Sequence, residues 1–409
     1  MNTPKTIAVL GTLDSKGEEH GFIADLIRER GHVPLLIDVG TGGDPTIKPD
    51  ITRDEVAKAG GIELDALIAR KDRGECVVAM SKAAPALVTQ LQAEGKIDGI
   101  ISLGGGGGTA LGTAAMRVLP VGFPKVMVST LASGNTAHYV GATDISMIPS
   151  IVDVAGLNRI SKTIFTRAVG SICGMVEMEI EQSPEPDERP LIAASMFGNT
   201  TECVDAARAL LEKEGYEVLV FHATGTGGKV MEKLIADGMI SGVLDITTTE
   251  WADELVGGTL SAGPTRLDAT GLAKVPAIVT PGCLDMVNFG GRETVPEEFE
   301  GRNFYIHNPQ VTLMRTSPEE CTELGRILAQ KVNSYTAPVS VLLPTQAISI
   351  ISKEGQPFYD IEADEALFSA IRNELSAEIE LIEIDAAIND PEFSEACATT
   401  LLRNLALPQ

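Results

Sequence analysis

Short apolar runs, each closed by glycine or a polar turn and followed by helical periodicity, recur along the chain. Thr6-Ile-Ala-Val-Leu10, ending at Gly11, predicts a strand buried on both faces. Ser15-Lys-Gly-Glu18 then has the form of a capping box. Phe22, Ile23, Leu26 and Ile27 lie along one helical face, and Gly31 closes the helix. Val33 to Val39 predicts a second strand leading into Gly40-Thr-Gly-Gly43. A strand, a helix and a strand in this order imply parallel pairing with a right-handed crossover. An Ala-rich helix follows at about 83–94, then a third strand at Ile97–Leu103, five glycines, and a helix opened by Thr109. Lys125–Ser129 predicts a fourth strand, running into Ser133-Gly-Asn-Thr136, and a helical region extends over about 151–179.

The second half repeats this grammar. Leu191–Met196 matches the opening strand, Asn199-Thr-Thr-Glu202 the capping box, and Gly225-Thr-Gly-Gly228 the Gly40–Gly43 turn. Ile240–Ile246 and Val275–Thr280 answer the third and fourth strands. Further strands are expected at Val339–Leu343 and Ile379–Ile384, with helices near 364–375 and from Asp390-Pro391. The polar, proline-rich Ser183–Pro190 can form neither helix nor central strand. The expected fold is therefore α/β: two similar Rossmann-like, doubly wound lobes with parallel sheets and a cleft between them. The expected boundaries are residues 1–182 for the first lobe, 183–190 for the linker and 191–409 for the second lobe.

Composition narrows the function. Of 409 residues, 32 are Lys or Arg and 57 are Asp or Glu, a net charge of −25. Such a balance disfavours nucleic acid and anionic membranes as partners, since phosphate contacts require basic residues. No apolar run is long enough to span a bilayer, and Thr6–Leu10 is too short for a signal peptide. A cytoplasmic protein is the expectation. The six cysteines are scattered, with no zinc spacing.

In open parallel sheets, ligands bind beyond the carboxyl ends of the strands. There the first lobe offers Gly104, Gly105, Gly106, Gly107 and Gly108 followed by Thr109. Bare amides at a helix start form an anion site, which points to phosphate. A Walker A loop is excluded because Thr109 stands where its lysine belongs. Gly105-x-Gly107-x-x-Ala110 fits the dinucleotide pattern, but no acidic residue follows between Ala110 and Thr143 to hold a ribose, which favours a mononucleotide. Thr12, Asp14 and Lys16 add a hydroxyl, a carboxylate for Mg²⁺ through water, and a cation. Asp38 is either a ribose ligand or a turn carboxylate, and Gly42 belongs to the adjoining turn. Ser133, Gly134, Asn135 and Thr136 supply further donors or a plain polar turn. In the second lobe the catalytic candidates are His222, Arg315 and Glu250. Thr247–Thr249 could donate to an oxyanion, and Thr249 could instead cap an acidic helix start. Arg266 and His307 could bind an acidic substrate. Cys283 could act as a nucleophile only beside a base.

Several motifs together resemble one family. They are Gly11–Glu18, Ser102–Thr109, Ser133–Thr136, Phe221–Gly228, Asp245–Glu250, Val287–Gly290 and His307–Arg315. The string is similar to the ATP-binding domain family of the tomato mosaic virus resistance protein, across nearly the whole chain. That resemblance implies ATP with Mg²⁺ as ligand, two Rossmann-like lobes and a homo-oligomer, dimeric or higher. The expectation is a nucleotide-binding protein with triphosphate on Gly104–Thr109 beside Lys16 and adenosine toward Asp38 and Gly40–Gly43. One alternative is an ATP-dependent enzyme acting on a small carboxylate or sugar acid in the inter-lobe cleft. Another is an interaction protein whose oligomer nucleotide stabilises.

Overall fold

The structure, a computed structural model, describes residues 3–178 and 189–407. The expected linker therefore lies outside the described residues, apart from Arg189 and Pro190. The chain divides into two compact units, Met1–Glu185 and Pro186–Gln409.

The first unit opens with β1 (Thr6–Gly11), α1 (Leu13–Glu29) and β2 (Val33–Asp38). Three helices follow: α2 (Arg53–Ala59), α3 (Leu64–Ala69) and α4 (Arg73–Ala93). Then come β3 (Gly99–Gly104), α5 (Gly106–Arg117), β4 (Lys125–Ser129), α6 (Ala137–Val140), β5 (Ser146–Pro149) and α7 (Arg159–Glu177). Its sheet is parallel throughout, in the order β2-β1-β3-β4-β5. Strands buried on both faces need cover on both. Helix α4 packs on one face through Met80, Ala83, Ala84 and Val88. Helices α1 and α7 cover the other, through Ile23 and Ile27 and through Phe165 and Ile172. The strand order reverses between β1 and β3, and that switch point is where an open α/β sheet leaves a crevice.

The second unit runs β6 (Leu191–Met196), α8 (Thr201–Lys213), β7 (Glu217–His222), α9 (Thr226–Ala236), β8 (Gly242–Thr247) and α10 (Glu250–Val256). It continues with α11 (Asp268–Leu272), β9 (Ala277–Gly282), β10 (Met286–Phe289), β11 (Phe304–Asn308), β12 (Val311–Arg315) and α12 (Pro318–Val332). It ends with β13 (Val339–Pro344), α13 (Ile361–Glu374), β14 (Glu380–Ile384) and α14 (Pro391–Ala406). Its parallel sheet has the order β14-β13-β9-β8-β6-β7, so the first four strands in sequence are arranged as in the first unit. Strands β10, β11 and β12 form a separate antiparallel sheet, which the apolar pattern does not announce. Among the described residues no helix is long and apolar enough to cross a membrane.

Several local expectations are corrected. Helix α1 starts at Leu13, two residues before Ser15, whose hydroxyl donates to Thr12 instead of capping the helix. Asn199–Glu202 is likewise no capping box: residues 198–200 form a short 3₁₀ turn, and Thr200 Oγ1 bonds Thr247 Oγ1. Helix α4 is far longer than 83–94 and passes through Pro85. Helix α5 starts at Gly106, ahead of Thr109. The region read as helix over 151–179 is helical only from Arg159, with Glu179 outside the described residues. Thr249 does not cap α10; its hydroxyl lies toward Met286 O, at 3.5 Å.

Candidate functional site

At the switch point of the first unit lies a cavity of about 710 Å³. Its wall is drawn from four places. Thr12, Asp14, Ser15 and Lys16 come from the start of α1, Val39, Thr41 and Gly42 from the turn after β2, and Leu103 to Gly108 from the end of β3 and the start of α5. The fourth contribution comes from the start of α4: Lys71, Asp72, Arg73, Cys76 and Val77. Three helix N-termini thus face one space, and each carries partial positive charge on unsatisfied amides.

The glycine run is not there for backbone freedom, because none of the five has a positive φ. Gly104 is required by packing: a Cβ on it would meet Gly108 Cα at 2.6 Å. The next three differ. A Cβ on Gly105, Gly106 or Gly107 would find no protein atom closer than 3.7 Å, the distance to Val77 Cγ2 from Gly107. The first main-chain bond of α5 is donated by Thr109 to Gly105 O, at 2.8 Å. The amides of Gly106, Gly107 and Gly108 precede it and stand at the cavity wall. Thr109 itself is not a wall residue; its buried hydroxyl bonds Ser129 Oγ at 2.7 Å, so it is scaffold rather than ligand.

The rest of the wall is braced from below. Asp38 Oδ1 accepts from Leu13 N (3.0 Å) and Gly40 N (2.8 Å), capping α1 from the neighbouring strand. Asp38 is buried and lies off the cavity wall, and these two bonds are those of a turn carboxylate. Burial raises its pKa. Asp14 Oδ2 accepts from Gly42 N (2.6 Å) and Gly43 N (3.2 Å), so it ties the glycine turn to α1. Lys16 leaves helical geometry, at φ −132° and ψ 24°. The buried His20 bonds Lys16 O through Nδ1 at 2.7 Å, and a Cβ on Gly11 would run into that ring. Desolvation lowers the His20 pKa.

Not every expected residue joins this site. Ser133, Gly134, Asn135 and Thr136 lie outside the wall and form a polar turn in which Gly134 N donates to Leu131 O and Asn135 Oδ1 accepts from Ala137 N. Conversely, Lys71, Arg73 and Asp153 line the cavity without having been anticipated, since they sit in no glycine turn directly following a strand. Among the described residues no group of three or more His, Cys, Asp or Glu could hold a metal ion.

The second-unit candidates do not gather into one site. Glu250 is fully buried and accepts from Gly225 N (2.7 Å), Gly228 N (3.0 Å) and Arg266 Nε (2.8 Å). Arg266 also pairs with Asp245 at 2.6 Å. Arg315 is 3% exposed and bonds Phe358 O, Asp360 O and Asp364. Thr247 and Thr248 are buried and bonded to Ser195 and Thr280. Cys283 is fully buried, and burial pushes its thiol pKa up, opposite to what a nucleophile needs. His222 is exposed and tilts against the Phe197 ring, 5.4 Å away; Glu250 and Arg315 belong to separate networks.

Comparison with known proteins agrees with the motif string. Residues 5–181 match the N-terminal domain, and 189–405 the C-terminal domain, of the uncharacterised protein family UPF0261. The chain belongs to this family. A UPF0261 protein of Clostridium tetani is 50% identical over 97% of this chain and 98% of its own length. The ToMV resistance protein Tm-1(GCR237) of Solanum lycopersicum is 42% identical over 98% of this chain and 56% of the plant protein. A solved UDP-N-acetylglucosamine 2-epimerase from Rickettsia bellii aligns over 99% of this chain and 96% of its own at 11% identity. Its TM-score of 0.23 is too low to bear on function.

Proposed function

We propose that this UPF0261-family chain binds a nucleotide, with ATP as the expected ligand and its phosphates on the Gly105–Gly108 amides. One observation carries the reading. Gly105, Gly106 and Gly107 are bare although the protein's own packing leaves room for side chains there, and all three line the cavity. Three helix starts and Lys16 make that space attractive to anions. Its apolar wall of Val39, Leu103 and Leu111 suits a base. Mg²⁺ arriving with the nucleotide would be held chiefly by phosphate oxygens, with Asp14 at the wall to meet a bound water. The burial of Glu250 and Arg315 supports binding over group transfer, because neither can reach a substrate without dismantling the second unit's interior.

Calorimetric titration with Mg·ATP tests the placement. The native chain is expected to release binding heat, and Gly106→Val to abolish it without loss of folding, because Gly106 lines the cavity and a Cβ on it would meet no side chain nearer than Leu131 Cδ1 at 4.0 Å. Unchanged affinity in the variant refutes the placement.

A further inference from the structure

The cations around the cavity are distributed in a way that bears on which phosphorylated ligands it takes. Lys16 comes from α1, whose buried face packs with α7 on one side of the sheet. Lys71 and Arg73 come from the start of α4, which packs on the other side. Lys71 takes a left-handed conformation, φ 55°, and so turns the chain from α3 into α4. Asp72 then caps α4 by accepting from Glu75 N at 2.9 Å, leaving Lys71 and Arg73 at the wall. Val77, one turn further along α4, stands 3.7 Å from where a Gly107 side chain would begin, so the α4 start adjoins the α5 start. Among the described residues Lys16, Lys71 and Arg73 form no ion pair, although most other cations of this acidic chain do.

A single phosphate on the glycine amides satisfies the α5 start and one cation at most. A chain of phosphates extends anionic charge from the glycine floor toward both sides. We propose that the cavity selects polyphosphate over monophosphate, and that Lys71 and Arg73 read the phosphate farthest from the base. This rests on the nucleotide reading above and adds the specificity-determining residues.

Calorimetry at fixed, low ionic strength with AMP, ADP, ATP and inorganic tripolyphosphate tests it on the full chain. The native protein should bind in the order AMP < ADP < ATP, about tenfold or more per added phosphate, and tripolyphosphate should displace ATP. In Lys71→Ala/Arg73→Ala the ATP and ADP affinities should converge while AMP affinity stays put, and Lys71→Arg/Arg73→Lys should restore the ladder. All these positions are exposed, so folding should survive. An intact ladder in the alanine double variant, or AMP and ATP binding equally to the native chain, overturns the selectivity and leaves nucleotide binding standing. No binding of any of the four overturns both.

Discussion

At the residue scale, glycines of one run do different jobs. Gly104 is held by contact with the Gly108 backbone, whereas Gly105 to Gly107 border open space. Gly104→Ala is therefore expected to destabilise the protein by about 1–3 kcal/mol in thermal unfolding, as overpacking does. Gly106→Ala, in the first turn of α5, should be neutral or slightly stabilising. Equal losses at the two positions would show that the run is kept for packing alone. The sequence displayed the run but not this division, because which glycine a neighbour crowds depends on chain segments folded against it. Lys16 was legible as a cation in a strand-end turn. Its support by His20 was not, since the ring meets Lys16 O where α1 departs from helical geometry.

At the element scale, strands and most helices were readable from apolar runs and glycine stops, while the caps were not. Asp38 caps α1 from β2, and Glu250 holds the Gly225–Gly228 turn from the start of α10. Both act across elements, so a rule that looks three residues along the chain misassigns them. Asp253 shows the same behaviour with a measurable consequence. It anchors α10 to β10 and the following loop by accepting from Asn288 N, Asn288 Nδ2 and Leu260 N, with no cation beside it. Burial pushes its pKa up from the ordinary value to about 6. The folded state thus holds this proton more tightly than the unfolded chain. Its stabilising effect is complete below about pH 4 and is lost as pH rises through 6, by about 3 kcal/mol. Asn288 Oδ1 has no partner among the described residues, so a turned amide can meet an Asn at 253. Asp253→Asn should therefore gain stability relative to the native chain between pH 4.5 and 7.5 in denaturant titrations. A difference that does not change with pH contradicts the shift.

At the scale of the whole molecule, both units wind their first four parallel strands in the same order, yet they use the switch point differently. In the first unit the crevice between β1 and β3 is lined by glycines and open. In the second, Ser195, Asp245, Thr247 and Arg266 bond one another at the ends of β6 and β8. The repeat was legible from the turn motifs, and so was the location of a ligand loop after the third strand. What the repeat concealed is that motifs alike in sequence need not stay alike in role. Gly225-Thr-Gly-Gly228 receives a carboxylate from its own unit's interior, whereas Gly40-Thr-Gly-Gly43 edges a cavity. Nor did the apolar pattern reveal that α4 begins beside the glycine run, because the α2–α3 excursion between β2 and β3 carries no strong periodicity.

Amide hydrogen exchange of the full chain, with and without saturating Mg·ATP, tests the first unit's crevice as the ligand site most directly. Slowed exchange in peptides covering 12–16, 71–77 and 103–109, with 222–228 and 245–250 unchanged, is the predicted result. Protection confined to the second unit's loops, or none at a concentration where calorimetry registers binding, would contradict it.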